Sequence, residues 1–299
     1  MTEERNSAVA ALSGVAPSRP PAAGQVGVEV EFTGLGVRQA GEVLARAFGG
    51  DLREEDPQAV HLTGSSLGAL SIELDVRHAH PHRGAGNPLG ALPAPMIVAL
   101  GHALAPMVPR ELIFRPLDRS VLSRADDAIA ALREAGATGD GATLLDSLGL
   151  HFNIGHAHDD PVQILALFKA FLLRERALRR ANGDDWRIRA HAPPAFSPDY
   201  VARVLAPDYW PDLPAFTRDY LHWNPTRKRS LDLLPLLLHH RSDSAPLRFR
   251  GKVKPRAAFH YRLPVARVGR PGWTIQADWS RWLEVEGAAA EIARTRDLR

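Results

Sequence analysis

The chain has 299 residues, enough for one large domain or two ordinary ones. Hydrophobic residues make up 45 % and charged residues 24 %, which excludes wholesale disorder and fibrous repeats. The formal charge is +3 and there is no cysteine, so disulfide scaffolds, thiolate metal sites and cysteine nucleophiles are excluded.

Arginine carries nearly all the positive charge; lysine occurs only at Lys169, Lys228, Lys252 and Lys254. A guanidinium grips carboxylate or phosphate in a bidentate fork. The pattern therefore suits an anionic small ligand better than nucleic acid. No apolar run approaches the ~20 residues of a membrane span, so no membrane partner is expected. Residues 1–25 are rich in Ala, Pro, Ser and Gly and lack the apolar core of a signal peptide. They are expected to form a disordered tail, followed by a single α+β domain over 26–299 in the cytoplasm. Nothing in the sequence specifies an oligomeric state.

Val26–Phe32 alternates Val26, Val28, Val30 and Phe32 with Gly27, Glu29 and Glu31, the period of a half-buried strand. Val37–Phe48 carries a helical apolar stripe that Gly49-Gly50 stops. Ala59–Thr63 and Leu70–Val76 read as strands joined through Gly64-Ser65-Ser66-Leu67-Gly68. In the second, Ile72, Leu74 and Val76 oppose Ser71, Glu73 and Asp75. His78–Pro95 reads as a long loop, Pro95–Leu104 as a short helix and Arg110–Pro116 as a strand. Ser123 caps a helix that runs to about Ala135. Gly149–Gly155 alternates Leu150, Phe152 and Ile154 with His151 and Asn153. Asp160 and Pro161 open a long helix ended by Asn182-Gly183. Further helical stretches fall near 198–205, 214–222 and 231–240. Lys254–Leu263 reads as a strand, and Gln276–Arg294 as a terminal helix.

Four of these strands pair an apolar face with a face of costly polar groups: Glu29/Glu31, Glu73/Asp75, His151/Asn153 and His260/Arg262. Residues i and i+2 of a strand lie roughly 6.8 Å apart on one side. Taken singly, a Glu-x-Glu pair is a solvated strand face, and a lone histidine is a structural one. In one sheet the four faces converge. Carboxylates gathered at that spacing repel, and a hard divalent cation such as Mg²⁺ or Mn²⁺ compensates them. An arginine on the same face suggests phosphate held between cation and guanidinium.

Gly27-Val28-Glu29-Val30-Glu31-Phe32, Ser71-Ile72-Glu73-Leu74-Asp75 and Gly149-Leu150-His151-Phe152-Asn153-Ile154 resemble motifs of the amidoligase family, over about residues 26–265. Those enzymes are carboxylate–amine ligases related to glutamine synthetase and glutamate–cysteine ligase. The resemblance implies a curved antiparallel sheet with a concave catalytic face and helices on the outer face. It also implies ATP-dependent amide-bond formation through an acyl phosphate. Glu29, Glu31, Glu73 and His151 match metal ligands, with Asn153 in a substrate-side position. Arg262 matches a phosphate-binding arginine, with Arg256 as a possible helper, and Arg227 and Arg229 lie in a segment similar to the family's arginine-bearing one. Relatives often carry glutamate two residues before the late arginine; here that position is His260, which can still ligate but removes a negative charge. Asp75 is the nominee for the base that takes the amine's proton. The implied cofactors are ATP and Mg²⁺ or Mn²⁺, and the partners are small-molecule or peptide carboxylates and amines.

Two other classes remain open at this level. His78, His80, His82, His156 and His158 could serve a metal-dependent hydrolase. A catalytically inactive, ligase-like binding protein is the other alternative, given His260. Gly64-Ser65-Ser66-Leu67-Gly68 fits G-x-S-x-G, but a strand follows it rather than the helix a nucleophile elbow needs, so a hairpin is expected. There is no P-loop motif.

Overall fold

The computed structural model describes residues 21–22, 24–74, 95–96, 99, 108–143, 146–156, 160–240 and 253–297. Strand β1 spans Gln25–Phe32, β2 Asp51–Asp56, β3 Ala59–Ser65, β4 Gly68–Leu74 and β5 Arg110–Asp118. Strands β6, β7 and β8 span Leu150–Gly155, Leu231–Asp232 and Ala258–Tyr261. Helices α1 (Val37–Phe48), α2 (Arg124–Glu134), α3 (Pro161–Ala181) and α4 (Trp186–His191) lie between them in the first two thirds of the chain. Helices α5 (Pro198–Leu205), α6 (Leu213–Trp223), α7 (Leu234–His239) and α8 (Ile275–Asp297) follow.

All described strands join one antiparallel sheet in the order β2-β3-β4-β5-β1-β6-β8-β7. The fold is α+β, and β1 lies near the middle, between β5 and β6. Its alternation has the expected cause. Val26, Val28, Val30 and Phe32 are fully buried in the apolar core, and the glutamates occupy the opposite face.

Helices α3 and α8 pack on each other and cover the β6–β8 side of the sheet. The Phe152 ring lies 5.4 Å from Trp279, and Tyr261 lies 5.0 Å from Trp282 and 5.9 Å from Phe171. Helix α1 packs on β3 and β4. Local signals set the helix ends. The Asp160 carboxylate accepts from the Val162 amide at 2.9 Å, and Pro161 occupies the first turn, where its missing N–H costs nothing. A second aromatic cluster gathers on α3, where Phe168 meets Phe196, Tyr200, Phe216 and Tyr220.

One local expectation is corrected, and two further elements stand outside those expected from sequence. The charged segment Asp51–Asp56 (DLREED) forms an edge strand, which the sequence reading left out. An edge strand has one neighbour and a solvated flank, so its composition resembles a loop's. Leu231–Asp232 belongs to β7 rather than to a helix over 231–240. Pro235 is tolerated only in a helix's first turn, so α7 starts at Leu234 and the preceding residues extend to pair with Tyr261 and His260. Helix α4 was also not foreseen; Asp185 caps it by accepting from the Arg187 amide at 2.9 Å. The G-x-S-x-G stretch is the β3–β4 hairpin, where the Ser65 hydroxyl donates to the Gly68 carbonyl at 2.6 Å. Residues 1–20, Asp75, the histidines at 78, 80, 82 and 158, and most of the 78–104 segment lie outside the described residues.

Phe168 is fully buried at the centre of the α3 aromatic cluster. Phe168→Ala is expected to cost about 3–5 kcal/mol, read as a lower urea midpoint at unchanged slope.

Candidate active site

Sheet register brings the costly side chains together. Glu29 on β1 stands opposite His151 on β6, and Asn153 on β6 stands opposite His260 on β8. His260 in turn stands opposite Asp232 on β7. On the other flank, Glu31 opposes Glu111 on β5, and Glu111 opposes Glu73 on β4. Three carboxylates thus form a row across neighbouring strands, which lie roughly 4.8 Å apart.

Glu29 is the hub. Its Oε1 accepts from Asn153 Nδ2 at 2.7 Å, and its Oε2 lies 3.3 Å from His151 Nδ1 and 3.8 Å from His260 Nε2. Ligand atoms of Glu29, His151 and His260 all fall within 4.8 Å of one another. Burial alone would raise the Glu29 pKa. The hydrogen bond from His151, the neighbouring imidazoles and the Asn153 amide outweigh it and hold the carboxyl well below its usual range. Glu31 is buried, and its carboxylate accepts from the Gly149 amide at 2.8 Å.

The glycines of the two strand motifs have a steric reason. A Cβ on Gly149 would lie 2.5 Å from His151 Nε2, so the imidazole occupies the space that a side chain would take. A Cβ on Gly27 would touch the Asn153 side chain at 3.4 Å.

The cationic side enters through β8. Arg256 Nη2 donates to Asn153 Oδ1 at 2.6 Å and to His260 Nδ1 at 3.3 Å. Arg262 Nη2 donates to the same Nδ1 at 3.1 Å. A guanidinium can only donate. His260 Nδ1 is therefore the acceptor, and the neutral ring carries its proton on Nε2, on the side of Glu29. Burial first, and Arg262 next, push the His260 pKa well below that of ordinary imidazole. The Nε atoms of Arg256 and Arg262, like His260 Nε2, are buried without a hydrogen-bond partner. Buried donors left open in this way suit an anionic ligand.

Sequence reasoning missed two participants. Glu111 links Glu31 to Glu73. Its signal was the alternation of Glu111 with Leu112 and Phe114 inside Arg110–Pro116. Asp232 is fully buried; its Oδ2 lies 3.8 Å from Arg227 Nε, and it shares the fields of Arg262 and Arg256. Burial nonetheless pushes its pKa up. One acid inside the apolar run Leu231–Leu238 was the available signal. Arg229 is not among the residues brought together: it donates to the Ala195 carbonyl and stacks 5.5 Å over the Phe196 ring. His156 packs against Phe259, with ring centroids 5.1 Å apart. Beside Glu31 and His151 opens a cavity of about 450 Å³, whose basic wall is Arg227, Lys228 and Arg262 and whose other rim carries His191, Pro193 and Pro194.

Gly149→Ala is expected to turn the His151 ring away from Glu29. Its ¹⁵N imidazole resonances should move toward those of free histidine, with little change in melting temperature. His260 also sets a pH effect. Between its lowered folded pKa and about 6.5, the unfolded chain binds more protons, so acidification through that window costs stability. His260→Asn is expected to remove that part of the slope in urea titrations run between about pH 6.5 and 5.

The model of a family described as "Putative amidoligase enzyme" matches residues 23–284, most of the chain and all of this site. No curated protein and no solved structure matches it. The match covers most of the chain, with β1 and β6 paired side by side within it, and the chain belongs to the amidoligase family.

Proposed function

We propose that the protein is an ATP-dependent carboxylate–amine ligase that forms an amide bond through an acyl phosphate. One observation carries the reading: an acidic row and a guanidinium pair meet on one sheet face, around Glu29 and His260. Paired cation and anion sites of this kind are what phosphoryl transfer uses. Family membership supports a ligase.

The residues present fit Mg²⁺ or Mn²⁺. Glu29 and His151 would hold the cation, with Glu31 on the same strand face and Glu111 and Glu73 following in register, and the repulsion among these carboxylates falls when a cation is held. Such a cation would neutralise charge on the transferring phosphoryl group. Arg256 and Arg262 hold phosphate oxygens through the N–H groups that now face His260 and through their open Nε atoms. Phosphate competing for those N–H groups would leave His260 Nδ1 able to carry the ring proton, so that Nε2 could also hold the cation. Arg227 and Lys228 draw the substrate carboxylate into the adjoining cavity.

A carboxylate oxygen of the substrate attacks the γ-phosphorus, and the bond to ADP breaks. The amine nitrogen then attacks the acyl carbon, and phosphate leaves. The amine's proton goes to a carboxylate, for which Asp75, directly after β4, is the nominee.

A second reading has one observation in its favour. Two imidazoles and one carboxylate form the donor set of many zinc hydrolases. The two arginines on His260 Nδ1 oppose it, because they place the ring proton on Nε2.

With ATP, Mg²⁺, a carboxylate and an amine, the ligase is expected to release ADP and phosphate in equal amounts. Glu29→Gln and Glu31→Gln should each lower turnover by at least ~100-fold while circular dichroism is unchanged. AMP as product, or full activity in both variants, removes this assignment; zinc-dependent hydrolysis without nucleotide selects the second reading.

A further inference from the structure

Asp232 on β7 is fully buried and is not among the residues that line the cavity at Glu31 and His151, whereas Arg227 and Arg262 are. Strand pairing sets it directly opposite His260, so the two side chains share one face of the sheet. His260 Nδ1 is the atom to which Arg256 and Arg262 both donate, at 3.3 and 3.1 Å. Asp232 Oδ1 accepts from the Leu234 amide at 3.0 Å. Its Oδ2 has no hydrogen-bond partner and lies 3.8 Å from Arg227 Nε. Arg227 has a further partner of its own, so Asp232 is one of its contacts.

The charges around this acid bind the group together. Burial pushes the Asp232 pKa up, and Arg262, the Leu234 amide, Arg227 and Arg256 act the other way. Burial lowers the Arg262 pKa; among the charges that oppose this, Asp232 outweighs Glu29, while Arg227 adds to it by repulsion. Burial lowers the Arg256 pKa as well, and Arg227 and Arg262 add to it. Buried like charges separate unless an anion lies among them. A carboxylate in a bidentate fork would take up the N–H groups of a guanidinium. Asp232 attracts without doing so: 3.8 Å is beyond a hydrogen bond, and the buried Nε atoms of Arg256 and Arg262 have no hydrogen-bond partner.

We propose that Asp232 is a positioning residue that holds Arg256 and Arg262, together with Arg227, in place before phosphate arrives and leaves the Nε groups of the first two open to it. This rests on the reading of Arg256 and Arg262 as the phosphate side of a ligase. The Asp232 charge also repels an incoming phosphate, so two roles differ in sign. Loss of a mere counter-charge tightens anion binding; loss of a positioning group weakens it.

Nitrogen-15 spectra of the full chain record the arginine Nε–H groups, and calorimetry records its binding of inorganic tripolyphosphate without divalent cation. Asp232→Asn keeps an oxygen for the Leu234 amide. In this variant the Arg256 and Arg262 Nε–H groups are expected to exchange with solvent at least about tenfold faster, and tripolyphosphate to bind at least about tenfold more weakly. Saturating tripolyphosphate should restore slow exchange at both groups, which a merely structural lesion does not allow. Asp232→Ser is measured in the same way if Asp232→Asn fails to fold. Unchanged exchange in the unliganded variant, equal or tighter binding, or no restoration by the anion overturns the proposal. If the wild-type chain itself binds no tripolyphosphate, the phosphate reading of Arg256 and Arg262 fails, and exchange in the unliganded variant still decides whether Asp232 positions them.

Discussion

On the polar face of β1 the Glu29 carboxylate is held by Asn153, His151 and His260, all from strands on one side of it. The arrangement of the site depends on keeping this charge in place. A half-buried carboxylate is costly unless donors surround it, and here the donors come from β6 and β8. The apolar face of the same strands is locked beneath Phe152, Tyr261, Trp279 and Trp282. The polar partners cannot drift without breaking that packing. Core and site are thus two faces of one set of hydrogen-bonded ladders.

The sheet also separates charge by direction. From β1 toward β4 the face turns acidic through Glu31, Glu111 and Glu73. Toward β8 and β7 it turns basic, with Arg256 and Arg262 and the buried counter-charge Asp232. His260 lies at the seam: its Nδ1 faces the guanidiniums and its Nε2 faces Glu29. A glutamate at that position would pair with the arginines as an ion; a neutral imidazole accepts from them and leaves them charged for an incoming anion.

Much of the site was legible before any fold was known. Alternation in Val26–Phe32 and Leu150–Gly155 separated core residues from face residues, because a helix-covered surface admits no unpaired charge. The capping residues at Asp160 and Pro161 marked the start of α3 for an equally local reason. Legibility stopped where a residue's role depends on its neighbour across the sheet. Glu111 has the same local pattern as any solvated strand residue until β5 enters between β4 and β1. Asp232 sits in a run that reads as helix, and only the pairing of Leu231 with Tyr261 makes it a strand residue. Arg229 was indistinguishable from Arg227 by spacing, yet one is directed to the Ala195 carbonyl and the other to Asp232.

By itself, the sequence determined the class of chemistry: which strands carry acids, imidazoles and arginines on their polar faces, and the family whose motifs they match. The tertiary structure alone decided which of these groups meet and which way the His260 proton points. The division has one cause. Side-chain direction follows from backbone period within a few residues, whereas distance between segments follows from strand order and helix packing, which depend on the whole chain burying its apolar surface together.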